Sequence, residues 1–339
     1  MRILKQLILL SAIFVSHFAL AKKLLIYSDE PTGAKASMIR HLIQSTPPFS
    51  FLKKSELTIE VKILESGESK IDCHPMMIKY TDEQIKSLDY WSRQAGIILS
   101  EEEKKRYKKG FTIDRLTECD KAAMAQIALE SQADRMIYIH ASPYEGGSGG
   151  TIPVILSSSR PGIGLHEWLH TFGLADEYAY RKEEAPFYCQ RRDWANVAIF
   201  NDAPPYANSE DVKARHQTQI PWLPYLSKTA LLVTGDQLGS PQMGNLGIFR
   251  SATCNNVSPV LKSWKSSSYP TIMEDPFTNY IPKPYWRVIL TGLGVSENRI
   301  SELMQKNVVP TWLKDRTEGP GSPPPKAPLG NETGKEKEL

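Results

Sequence analysis

Residues 165–178 read LHEWLHTFGLADEY, with His166 and His170 four apart, Glu167 beside the first, and Gly173 and Asp176 at further intervals of three. On a helix, side chains at i and i+4 project from the same face, so both imidazoles can reach one metal ion. Glu167 is rotated about 100° from His166, where a carboxylate meets a metal-bound water instead of the metal. A third ligand requires the chain to leave the helix and turn back. Glycine at 173 accepts the left-handed conformation that such an ending needs. Asp176 then supplies the third ligand atom, with Glu177 next to it as the other carboxylate in reach. Two histidines and a carboxylate leave one coordination position open, which is the arrangement of a catalytic zinc; a structural zinc is closed by a fourth protein ligand.

The same stretch also has an ordinary reading. Leu165, Trp168, Leu169 and Phe172 follow the helical period, so one face packs into a core whatever the other face does. Chance alone produces H-E-x-x-H in a chain of this length about once in a hundred, and the fixed Gly and Asp offsets make it rarer still. A second chemical pattern, Gly146-Gly147-Ser148-Gly149-Gly150, formally matches the G-x-S-x-G of serine hydrolases. That nucleophile requires a strand running into it and a helix leaving it, whereas here a strand, TIPVIL, follows. A flexible glycine turn is the better reading. No Gly-Lys-Ser/Thr follows either, which removes a phosphate loop.

The elements that must hold these residues point to a mixed α/β (α+β) layer structure. KLLIYS (23–28), the alternating LTIEVKIL (57–64) and RMIYIH (135–140) read as strands, and 34–43 as a helix. A further helix is expected to begin at Thr117, capped by its hydroxyl with Asp120 three residues on. Pro153 within TIPVIL cannot donate to a ladder, which suits an exposed edge strand able to pair with an extended peptide. Residues 179–270 are weakly periodic and rich in Pro, Asn, Ser and Trp, so a loop-rich subdomain is expected there. PKPYWRVILTGLG and SENRISELMQK, the second capped by Ser296, read as helices.

The first 21 residues combine a positive start (Arg2, Lys5), an apolar run from Leu7 to Phe18 and Ala19-Leu20-Ala21, the order of a cleaved signal peptide. The run is short for a membrane span and is interrupted by Ser11, Ser16 and His17, so no membrane anchor is expected. Of the 41 basic and 38 acidic residues, removing this segment takes two basic ones, leaving 39 against 38, a net charge of +1. That balance predicts no nucleic-acid partner. Export makes disulfides the expected state of Cys73, Cys119, Cys189 and Cys254, which contain no CxxC pair. Spacing does not dictate the pairing; the expectation adopted is Cys73 with Cys119 and Cys189 with Cys254. Residues 315–339 carry five prolines and almost no large apolar side chain, the composition of a disordered tail. The expected catalytic domain is 22–314, with subdomains of about 22–176 and 177–314.

HEWLHTFGLAD resembles the H-E-x-x-H-x-x-G-x-x-H/D zinc motif of the metzincin metallopeptidases. Its continuation DEY, together with GNLGIFRSATC and YPTIMED, is more narrowly similar to the IgA-peptidase-like metallopeptidases. The likeness covers about residues 135–275. It implies a twisted mixed sheet whose edge strand lies over the active-site helix, and a zinc endopeptidase acting on a protein or peptide. It also implies His166, His170 and Asp176 as ligands, Glu167 as general base, and Met273 in a Met-turn beneath the metal. Tyr178, His216 and Tyr280 are candidates to support an oxyanion. A zinc hydrolase of non-peptide amides and a zinc-binding module without activity share the motif as alternatives.

Overall fold

Short parallel strands that read as unbroken apolar runs must be covered on both faces. In the computed structural model of the chain, β1 (Lys22–Ser28) lies between β2 (Leu57–Ile63) and β5 (Arg135–His140), parallel to both. Leu25, Met136 and Tyr138 face Met124 of the helix Lys121–Glu130 in one core, while their neighbours Leu24, Ile26, Ile137 and Ile139 are equally buried on the other side. The described residues are 21–306, less 65–70, 95–97, 182–184, 190–192, 202–205, 208, 227–245 and 258–260. The expected signal peptide, apart from Ala21, and the expected tail at 315–339 therefore lie outside them. Among the described residues, no helix is long and apolar enough to cross a membrane.

The five-stranded sheet has the order β2-β1-β5-β7-β6, with β6 (Gly147–Ser148) and β7 (Val154–Leu156) antiparallel to each other. The expected edge strand is thus corrected: TIPVIL supplies β7, which is internal, and the outermost pair is Gly147–Ser148. Nor is that edge exposed. Both residues are buried, and Ser148 Oγ donates to the Thr117 carbonyl at 2.9 Å. Pro153 sits just before β7, where its carbonyl accepts from Tyr138 N.

Thr117 belongs to a strand, β4 (Phe111–Cys119), which pairs antiparallel with β3 (Cys73–Ile78). The helix expected from Thr117 begins instead at Lys121. Asp120 is its cap, accepting from Ala122 N and Ala123 N at 2.9 and 3.1 Å. One carboxylate satisfying two orphan amides outcompetes a hydroxyl three residues earlier, and the ladder with Pro75 takes Thr117. Cys73 and Cys119 face each other across this ladder and are bonded, as are Cys189 and Cys254.

The stretch expected to be loop-rich contains a three-stranded antiparallel sheet, ordered β8 (Val197–Asn201), β10 (Leu261–Ser267), β9 (Leu246–Ser251). Strand β10 is buried along nearly its whole length, so it shows none of the alternation by which a half-exposed strand is recognised. Helices Lys283–Gly292 and Glu297–Met304 follow; Ser296 occupies the cap position of the second, but its side chain makes no capping bond.

Candidate metal centre

The motif helix, Pro161–His170, begins with proline at a position where no amide is needed, and buries Leu165, Trp168 and Leu169 completely. It lies close to its neighbours: a Cβ on Gly164 would sit 2.6 Å from Ile39 Cδ1, and one on Gly162 would sit 1.8 Å from the Pro276 carbonyl oxygen. Its end tightens into i→i−3 bonds, Thr171 N to Trp168 O, Phe172 N to Leu169 O and Gly173 N to His170 O. Gly173 then takes φ 82°, and the chain reverses toward the helix.

That reversal brings three side chains together. Asp176 Oδ1 stands 2.9 Å from His166 Nε2 and 3.2 Å from His170 Nε2, and the two Nε2 atoms are 3.2 Å apart. Two ligands held tetrahedrally at zinc distances of 2.0–2.1 Å stand about 3.3 Å from one another, close to this spacing. The hydrogen bonds explain why the atoms face inward. His166 Nδ1 donates to Ile272 O at 2.8 Å and His170 Nδ1 donates to Leu174 O at 2.7 Å, which assigns each neutral ring the tautomer with a bare Nε2. With both rings neutral, as metal binding requires, two lone pairs and a carboxylate oxygen converge, and apart from the two imidazoles the buried Asp176 Oδ1 meets no hydrogen-bond donor. A divalent cation satisfies all three. Among the described residues, no other cluster of three His, Cys, Asp or Glu side chains offers such a set.

The electrostatics agree. Burial alone pulls the His170 imidazole down, but the Asp176 carboxylate, with Glu167 behind it, outweighs this and raises it to about 9. Burial works to raise Asp176, yet the His170 and His166 rings hold it well below the usual carboxylate range. The pocket is built for positive charge. Glu167 is at its rim, with Oε2 3.9 Å from His170 Nε2, too far to be a fourth ligand and near enough to serve a molecule bound beside one.

Glu177 does not join the set. It is fully buried, with Oε1 accepting from Asn196 Nδ2 (2.9 Å) and Tyr285 OH (2.5 Å), and Oε2 accepting from Thr271 Oγ1 (2.7 Å). The YPTIMED segment reaches the site through its backbone: Ile272 O takes His166, Met273 O takes Glu177 N, and the Met273 side chain is buried. Of the three oxyanion candidates, only Tyr178 borders the metal set. Its half-exposed ring stacks on His166 with centroids 6.0 Å apart. His216 belongs to a separate core, bonded to Tyr206 and Gln219 and stacked on Phe200. Tyr280 packs on Tyr269 and bonds Ser267.

The glycine run has a role that the sequence reading did not assign. A Cβ on Gly147 would stand 3.0 Å from Glu167 Cγ and 3.2 Å from its Oε1; one on Gly149 would stand 3.4 Å from both Glu167 Oε2 and His170 Cδ2. The run passes directly over the carboxylate, and Ser148 spends its hydroxyl on Thr117, not on a catalytic base. Repeated glycine beside a buried strand is a sign of close backbone approach and was the available clue. No protein-family model matches the chain, and comparison with curated proteins finds no match either.

Proposed function

We propose that the chain is an exported zinc-dependent endopeptidase, matured by cleavage after Ala21, of the metzincin kind that its HEWLHTFGLAD motif resembles. The observation that carries this reading is the convergence of His166 Nε2, His170 Nε2 and Asp176 Oδ1 at 2.9–3.2 Å, with the Glu167 carboxylate at the rim. These three atoms would hold the zinc. When bound, zinc supplies Lewis acidity, bringing a water molecule's pKa toward neutrality and polarising a scissile carbonyl.

The chain's own residues do the remaining work. Glu167 Oε2 accepts a proton from the attacking water and later returns it to the departing amine, so that one water is consumed and one acid and one amine are released. The Ile272 and Leu174 carbonyls keep both rings in the tautomer the metal requires. Gly147 and Gly149, without side chains, let their own backbone lie close against Glu167 and His170. Tyr178, open to solvent against His166, is the phenol best placed to meet charge developing on the substrate.

Glu167→Gln tests the reading because shape is conserved while the proton acceptor is lost. The variant is expected to keep its zinc and its fold while peptide turnover falls by about 10² to 10⁴. Elemental analysis of the purified protein and a peptide-library digest measure both. A zinc-loaded Glu167→Gln protein that cleaves at the parent rate would refute the mechanism.

A further inference from the structure

A fully buried carboxylate that binds no metal requires a reason, and the bonds around Glu177 supply one. Every backbone polar group of residues 175–177 is taken. Asn196 clamps Ala175 N and O at 2.7 and 2.8 Å; Tyr180 OH accepts from Asp176 N at 3.3 Å; Thr253 Oγ1 donates to Asp176 O at 2.8 Å. Glu177 N donates to Met273 O, and Glu177 O accepts from Ala252 N and Ser251 Oγ. The Glu177 side chain then ties three of the surrounding pieces to each other. It holds Asn196, the clamp on Ala175; Thr271, which precedes the carbonyl that orients His166; and Tyr285 of the helix Lys283–Gly292.

We infer that Glu177 is a positioning residue of the metal centre, holding Asp176 and the His166 ring in one mutual geometry through its backbone and through Thr271. The inference rests on the metal-binding part of the function proposed above and not on the reaction. All three side-chain partners point a donor at the carboxylate. A glutamine would keep the volume but turn an amide N–H toward at least one of those donors. Strain there passes along two short covalent paths, one residue to Asp176 and one residue from Thr271 to the Ile272 carbonyl.

The test is metal binding by the full-length mature protein, read by competition with a chromophoric zinc chelator and by the visible absorption of the Co²⁺-loaded site. Glu177→Gln is expected to weaken zinc by up to roughly 10-fold, the lower end of the effect of losing a group bonded directly to a ligand, because it acts one residue removed, and to alter the Co²⁺ bands. Tyr285→Phe removes a single hydroxyl from Glu177 and is expected to shift both readouts the same way by less. It serves as the deciding variant if Glu177→Gln does not fold. A merely structural role would lower the melting temperature of either variant while leaving zinc affinity and Co²⁺ spectrum at parent values, and that result overturns the inference. A parent protein that takes up neither zinc nor Co²⁺ overturns the metal centre as well. A folded Glu177→Gln protein with weakened zinc but normal turnover when saturated supports positioning, and leaves the peptidase reading to Glu167.

Discussion

Replacing Gly173 by alanine isolates the contribution of the turn that delivers Asp176. Its φ of 82° lies in the left-handed region, and an added Cβ meets no atom within 4 Å. The cost is therefore conformational and not steric. A left-handed alanine costs about 1–2 kcal/mol, and the stiffer unfolded chain returns about 0.4–1 kcal/mol, which leaves a net loss of about 1 kcal/mol. Asparagine, which tolerates this conformation, should lose less than alanine. Gly162→Ala is the steric contrast, because its Cβ would lie 1.8 Å from a backbone oxygen that cannot swing aside. Overpacking of that kind typically costs about 1–3 kcal/mol, at the upper end where backbone must move. Urea unfolding of the zinc-free proteins, followed by tryptophan fluorescence, measures all three. If part of the strain at 173 is relieved by displacing Asp176, zinc affinity falls too, by up to about fivefold for 1 kcal/mol. An alanine that costs nothing, or one that costs more than Gly162→Ala, would refute the reasoning.

Further outcomes follow from the same geometry. With His170 raised to about 9, the metal-free site holds a proton below that pH, so zinc binding near neutrality should release it, and affinity should fall as pH drops from about 9. Calorimetric titration in two buffers of different ionisation enthalpy counts that proton; no release would count against a protonated His170 in the metal-free site. In the metal-free protein the raised His170 contributes stability that is full below its ordinary value of 6.5 and is lost as pH rises through about 9, which urea midpoints across that window can follow. Replacing both Cys73 and Cys119 by alanine opens a loop of 46 residues and should cost up to about 4 kcal/mol by chain entropy, visible in the same denaturation assay.

Much of the site was legible in the sequence because helix geometry is local. A spacing of four brings two imidazoles to one face, a neighbour at about 100° stands aside from them, and glycine marks the reversal. The strands at 23–28 and 135–140 were legible for a similar reason, being unbroken apolar runs of strand length. Legibility ended where partners are distant in sequence. Whether Thr117 opens a helix or completes a ladder depends on Pro75, and whether TIPVIL is an edge depends on two glycine-flanked residues folding back beside it.

The sequence by itself determined that His166, Glu167 and His170 share one helix, and that Gly173 permits a turn after it. Only the tertiary structure decided which of two adjacent carboxylates, Asp176 or Glu177, turns to the imidazoles. Asn196, Thr271 and Tyr285, 19, 94 and 108 residues away, draw Glu177 into the interior. No donor comparable to these meets Asp176 Oδ1, so that atom remains facing the two histidines. The covering of Glu167 by Gly147 and Gly149 was decided in the same way, by the position of one short strand over one helix. The physical reason is common to both: backbone periodicity sets which face a side chain leaves from, while burial and long-range hydrogen bonds set what it meets there.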